Sequence, residues 1–304
     1  MPVSPHPFFQ SNSATQAYFL LSITAMCWAA NAIFGRLAVN EVSPMGIVLF
    51  RWFTVLVLVL VFARQQLRHD WPLLKTRLYW VLGAAIFGFT FFNGLFYMAA
   101  YHTSAINLAI LQGGIPGIVM VAAFVLYRTP VTWLQSAGVL IAMVGVFVVA
   151  TRGDLKQLIA LSINPGDSLM LLACLIYSGY TVALRKRPAA SPLGLFALMA
   201  IVAFITCLPL AVAEIALGDF QWPTPFGWGI ILLIGLFPSF LAQIFFIQGV
   251  GIIGPSRAGI FVNLVPVFAA LLAVLVLKEP FEIFHAVAMG LVLGGVALAE
   301  RGKP

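Results

Sequence analysis

Ten apolar stretches alternate with short polar breaks along the chain, at 16–36, 44–63, 78–100, 105–127, 131–150, 167–185, 193–216, 226–249, 255–277 and 281–299. Each is close to the ~20 residues that a helix needs to cross the hydrocarbon core of a bilayer. None shows the two-residue alternation that marks a barrel strand. Only helices and closed barrels satisfy every backbone polar group in lipid, so the pattern predicts an all-α polytopic membrane protein with ten transmembrane helices. The breaks carry turn chemistry, with Asp154, Asn164 and Pro165 in one outer loop and Asp219, Pro223 and Pro225 in another. The longest break, 64–77, is expected to lie at the interface with Trp71 as an anchor.

The pattern also repeats. Phe96 and Phe246, Pro116 and Pro266, Pro130 and Pro280, and Gly145 and Gly295 are each 150 positions apart, with no gap between them. The span from Trp80 to Thr151 therefore has a diverged copy from Ile230 to Arg301. The first helices extend it less cleanly: Ala29-Ala30-Asn31 ahead of Gly35-Arg36 parallels Ser178-Gly179-Tyr180 ahead of Leu184-Arg185. The expected organisation is an N-terminal segment 1–15, a five-helix repeat 16–150, an outer loop 151–166, a second five-helix repeat 167–300 and a tail 301–304. Five is odd, so the second copy enters the membrane from the opposite side. The prediction is two inverted repeats related by a pseudo-two-fold axis in the membrane plane, an arrangement that permits alternating access.

Composition supports lipid as the solvent: 62% of residues are hydrophobic and 8% charged, against roughly a quarter charged in soluble domains. The net charge of +7 does not point to nucleic acid, because the basic residues sit at helix ends and in short loops. With the N-terminus in the cytoplasm, eleven Lys and Arg fall inside and four (Arg36, Arg152, Lys156 and Lys278) outside, so both termini are expected to be cytoplasmic. The first fifteen residues hold no Lys or Arg, so no cleavable signal is expected and helix 1 is retained. Cys27, Cys174 and Cys207 fall within apolar stretches, as small buried hydrophobes. No disulfide or metal spacing, phosphate loop or hydrolase motif is present, so no cofactor and no catalytic centre are expected.

Candidate chemistry lies inside the helices. Pro116 after Gly113-Gly114, and Pro266 after Asn263, each free a carbonyl and bend the axis. One reading makes them hinges lining a solute site; the other makes them packing kinks. Asn93 pairs with Gln243 by the same offset, and Asn31, Gln112, Gln248 and Asn263 are likewise amides deep in apolar sequence. They either hold a polar ligand or hydrogen-bond between helices. Trp28, Phe92, Tyr97, Tyr101, Tyr177 and Tyr180 lie within a turn or two of these groups. They are either a cavity wall with phenol handles or packing and interfacial residues. No Asp or Glu falls in the middle of an apolar stretch, so transport without direct proton coupling is expected. Arg51 and Arg257 are expected to snorkel or pair locally, with gating or attraction of a carboxylate as the other role.

Trp28-Ala29-Ala30-Asn31 running into Gly35-Arg36, Pro116 in helix 4, and Lys278-Glu279-Pro280 ending helix 9 resemble the EamA type of the drug/metabolite transporter superfamily. The resemblance covers the whole chain. Within that family it is most similar to the aromatic amino-acid exporters of bacterial inner membranes. It implies export of aromatic and other amino acids from a central cavity, lined by helices 1, 3, 4, 6, 8 and 9. The substrate-binding set would be Trp28, Asn31, Phe92, Asn93, Tyr97, Gln112, Tyr177, Tyr180, Gln243 and Asn263, with Pro116 and Pro266 as hinges. Both halves are present, so a monomer is expected to suffice. A broader exporter of drugs or metabolites such as purines, with or without proton coupling, is the alternative. A membrane scaffold or enzyme with no solute path is the third reading, which the repeat and the buried amides disfavour.

Overall fold

A computed structural model describes residues 14–128, 130–154, 164–253 and 261–302. Residues 1–13, Thr129, Lys156 with most of its loop, Arg257 and Lys303 lie outside the described residues. All regular structure among the described residues is helical. The rods are α1 (Ala14–Leu37), α2 (Pro44–Phe62), α3 (Arg64–Ala100), α4 (Ala105–Tyr127), α5 (Trp133–Ala150), α6 (Pro165–Lys186), α7 (Pro192–Leu217), α8 (Pro225–Ile253), α9 (Val265–Leu277) and α10 (Ile283–Arg301). Local chemistry starts them. Proline occupies the first turn of α2, α6, α7 and α8, where its missing N–H costs nothing. Ser104, Asn164, Ser191 and Thr224 accept from first-turn N–H groups, and Thr132 forms a capping box with Gln135. The outward faces are apolar: Phe62, Leu126, Leu140 and Ile283 all stand exposed, as side chains that meet lipid rather than water do.

The repeat is visible in the packing. Gly138 of α5 packs against Gly295 and Ala299 of α10, while Gly145 packs against Ala288 and Val292. Adding 150 turns Gly138 into Ala288 and Gly145 into Gly295, so the contact between 138 and 295 maps onto that between 288 and 145. Two antiparallel rods related in this way share a two-fold axis that runs between them and across their length. Elsewhere α1 packs on α8 and α9, and α6 packs on α3 and α4. Each half thus lends its first helix to the other. The α4 and α9 rods both end on a left-handed residue, Arg128 (φ 51°) and Lys278 (φ 57°), again 150 apart.

The segment 64–77 differs from the expected loop. Arg64–Leu74 is an amphipathic helix that buries Asp70 and Leu74 and leaves Trp71 half exposed. Asp70 ties it to the start of α7, accepting from the Ser191 amide (3.1 Å), the Ser191 hydroxyl and Gln66. A carboxylate at a helix N-terminus is favourable by charge as well as by hydrogen bonding. Asp70→Ala is expected to cost about 1–3 kcal/mol, since buried donors lose their acceptor. A lowered thermal midpoint in detergent, with faster proteolysis within 64–77, is the measurable result; unchanged values for both would remove the docking role.

Candidate functional site

Four helix irregularities meet at the centre of the bundle, and they follow the repeat. In α3 a π turn spans Ile86–Phe91, and in α8 another spans Gly235–Leu241. Gly88 and Pro238 occupy equivalent places in them. Proline cannot donate to Ile234, and the Ser239 hydroxyl takes that carbonyl instead (2.6 Å). The α4 rod breaks at Gly113-Gly114, where Pro116 has no N–H for the Gln112 carbonyl; the chain breaks the same way at Asn263-Leu264 before Pro266. Irregular backbone at membrane depth is tolerated where protein or a wet cavity satisfies it.

These breaks surround one cavity of about 220 Å³. Trp28 and Asn31 reach it from α1, Phe92 and Asn93 from α3, Gln112 and Pro116 from α4, Tyr177 from α6 and Gln243 from α8; Asn263 and Pro266 complete that side. Besides the six helices expected, α2, α7 and α10 also contribute, through Arg51 and Trp52, Phe196, and Val292, Leu293 and Val296. The walls mix aliphatic and aromatic side chains: Phe92 and Tyr177 pack with ring centroids 4.6 Å apart, Trp52 stacks on Phe89 at 4.9 Å, and Trp28 is backed by Phe246 at 5.3 Å.

Two candidates lie outside the lining. Tyr97 is fully buried, where its hydroxyl donates to Asn31 Oδ1 (2.8 Å) and accepts from Arg51 Nη1 (2.9 Å). Its ring spans α1 and α2 from behind the wall. Tyr180 packs its ring on Gly88, beside Tyr177 and Phe89, and so stands behind the π turn of α3. Of the roles expected for Arg51, snorkelling is ruled out and local pairing is found: it lies midway along α2 and is 7% exposed. Its Nη1 donates to Asn93 Oδ1 as well as to Tyr97, and Asn93 fixes its own amide by donating to Phe89 O. The helix-disfavouring pair Gly88 and Pro238, at the repeat offset, is the signal in the sequence that marks the π turns.

On the distal face, opposite the described termini, polar links join the halves. Glu279 accepts from the amides of Ala105 (3.0 Å) and Ile106 (3.2 Å), capping α4, and lies 3.9 Å from Arg36 of α1. Arg36 in turn donates to Ala100 O. Asp167 is wholly buried in the first turn of α6, accepting from Thr103 Oγ1 (2.6 Å) and more weakly from Asn107 Nδ2 (3.4 Å). His285 Nδ1 accepts from the Glu282 amide (3.0 Å), so the ring proton sits on Nε2 and points to Asn107 Oδ1 (3.2 Å). Among the described residues, no group of three His, Cys, Asp or Glu could hold a metal.

Comparison with known proteins places this arrangement. The model of the EamA-like transporter family matches residues 15–151 and again 164–300. An uncharacterized transporter of Bacillus subtilis (strain 168), YyaM, is 28% identical over 81% of this chain and 80% of its own length. A second from that organism, the uncharacterized transporter YetK, is 25% identical over 92% and 85%. An uncharacterized transporter of Archaeoglobus fulgidus is 24% identical over 93% and 97%. A solved protein crystal structure superimposes with a TM-score of 0.63 at 20% identity, over 94% of this chain and 97% of that one, which bears on the fold alone.

Proposed function

The chain belongs to the EamA-like transporter family and is a multi-pass membrane transporter, and from that premise we propose that it exports amino acids, aromatic ones included, by alternating access through the central cavity. One observation carries the reading: both inverted halves break their helices around a cavity whose walls are mainly apolar, with six aromatic residues among them, and whose polar groups are mostly amides. At about 220 Å³ it is smaller than the roughly 300–1,000 Å³ of drug-sized sites, which favours a compact solute. Trp28, Phe92 and Tyr177 would hold an aromatic side chain, and Asn31, Asn93, Gln112, Gln243 and Asn263 the ligand's polar end. Gln243 and Asn263 make no side-chain hydrogen bond among the described residues, so a ligand could use them without breaking one. Pro116 and Pro266 would let the half-rods of α4 and the α9 region rock against the fixed remainder.

The proposal includes the bacterial inner membrane as location, cytoplasmic termini, a monomeric working unit and flux down a gradient. No Asp or Glu borders the cavity among the described residues, which favours the uncoupled form. Labelled phenylalanine and tryptophan in proteoliposomes provide the test. Asn31→Ala, Gln112→Ala and Gln243→Ala are each expected to slow flux by about tenfold, the effect of losing a hydrogen bond of about 1.4 kcal/mol. Undiminished flux in all three removes the residue assignments, absence of flux in the parent removes the amino-acid reading, and dependence on a proton gradient removes the uncoupled one.

A further inference from the structure

Among the described residues Arg51 meets no anion; its guanidinium carbon lies 5.3 Å from the Trp52 ring centroid and 5.8 Å from that of Tyr97, so its partners are neutral. It is buried midway through the membrane and borders the cavity. Both acceptors that it meets, Asn93 Oδ1 and the Tyr97 hydroxyl, are neutral, and both bonds fall on the same nitrogen, Nη1. Each acceptor is itself held in place, Asn93 through Phe89 O and Tyr97 through Asn31. The guanidinium is therefore oriented by a rigid frame. Its Nε is buried with no partner, and no protein acceptor takes Nη2 among the described residues. No carboxylate lies within ion-pair distance of it there either.

A buried cation without an anion is costly, the cation–π contacts with Trp52 and Tyr97 offset only part of that cost, and a protein that keeps one generally uses it. The other polar side chains on the cavity wall among the described residues are amides, the Ser239 and Tyr177 hydroxyls and the indole N–H groups of Trp28 and Trp52, all neutral. Among the described residues the cavity thus carries one positive charge and no negative one. The free N–H groups of Nη2, on a fixed positive charge, suit a carboxylate by both charge and hydrogen bonding. An ammonium finds no carboxylate in the cavity and is repelled by Arg51.

We propose that Arg51 is the anchor for a carboxylate on the transported solute, so that the cavity requires the acid group of its ligand and dispenses with the amino group. The inference rests on the solute-cavity reading above and deepens it, from amino acids to aromatic monocarboxylates with or without an amine.

The test compares three probes of one shape on the purified full-length protein: L-phenylalanine, 3-phenylpropionate and 2-phenylethylamine. Binding is read by ligand-induced thermal shift and by competition with labelled phenylalanine in proteoliposomes. In the parent protein, 3-phenylpropionate is expected to bind within tenfold of phenylalanine and 2-phenylethylamine at least a hundredfold more weakly. Arg51→Gln is expected to weaken both acids at least tenfold, with Arg51→Lys in between, since a lysine keeps the charge and loses the planar guanidinium. Equal binding of the amine and the acid, failure of both acids to bind, or acid binding unchanged in a monodisperse Arg51→Gln protein overturns the proposal. Should that variant fail to fold, the three-probe ranking in the parent decides alone. Binding of 3-phenylpropionate without any phenylalanine flux would remove the amino-acid reading and leave Arg51 its role. Phenylalanine flux inhibited equally by the amine would do the reverse.

Discussion

A Gly295→Leu variant is expected to yield almost no folded protein, while Gly294→Leu accumulates like its parent. The two glycines are neighbours on α10 and differ only in what they face. A Cβ on Gly295 would meet the Gly138 carbonyl oxygen and the Ala142 nitrogen, whereas one on Gly294 meets nothing within 4 Å. Small residues let helices approach closely in lipid, where no hydrophobic force drives them together and packing alone must hold them. Backbone cannot move aside as a flexible side chain can, so the leucine lies at or above the upper end of the roughly 1–3 kcal/mol of an overpacked core. The pseudo-symmetry adds a control: Gly145→Leu is expected to fail as well, because its Cβ would meet the Ala288 carbonyl oxygen. Yield and monodispersity in detergent measure the outcome. Equal recovery of Gly294→Leu and Gly295→Leu would dismiss the close seam between α5 and α10.

The second large effect is expected at Glu279. Its carboxylate holds two amides at the start of α4 and faces Arg36, so it joins the end of α9 to both α1 and α4 across the distal face. The ion pair with the partly exposed Arg36 contributes little. The two amides matter more, because a hydrogen bond to a charged group contributes about 1.5–3 kcal/mol. Glu279→Ala removes both and favours distal opening. A shift of about 1.4 kcal/mol moves that equilibrium tenfold, so labelling of a Val262→Cys reporter by an impermeant thiol reagent from the distal side is expected to rise at least tenfold. Unaltered labelling would show that Glu279 only caps a helix. The inverted repeat lends the idea weight. Thr129 occupies the position in the first half that Glu279 occupies in the second, and a threonine carries no charge with which to latch the opposite face.

How much of the site was legible in the chain depended on how local each signal is. Pro116 and Pro266 announce their bends wherever they are placed, because a missing N–H and a clashing ring act within one turn. The amides Asn31, Asn93, Gln112, Gln243 and Asn263 could be singled out because a polar group in apolar sequence must find a partner or a cavity. Which of the two each finds was not readable, since Asn93 meets Arg51 across 42 positions and Tyr97 meets Asn31 across 66. Tyr97 and Tyr180 resembled wall residues in sequence because both lie close to the amides. They sit behind the wall because the register between helices turns their rings the other way. Asp167 was readable as the outer end of helix 6, but not its burial, which needs Thr103 and Asn107 from the other half.

By itself, the sequence determined the helical rods, their duplication and inversion, and the two broken helices. Those follow from rules that act along the chain: lipid demands internal backbone hydrogen bonding, and an odd number of crossings reverses the second copy. Tertiary structure alone decided that Arg51 is buried with no counter-charge among the described residues, that Glu279 bridges the distal face, and that α2, α7 and α10 also border the cavity. Each of these depends on side chains brought together from distant positions, where the balance between desolvation and pairing is set by neighbours that no local pattern names.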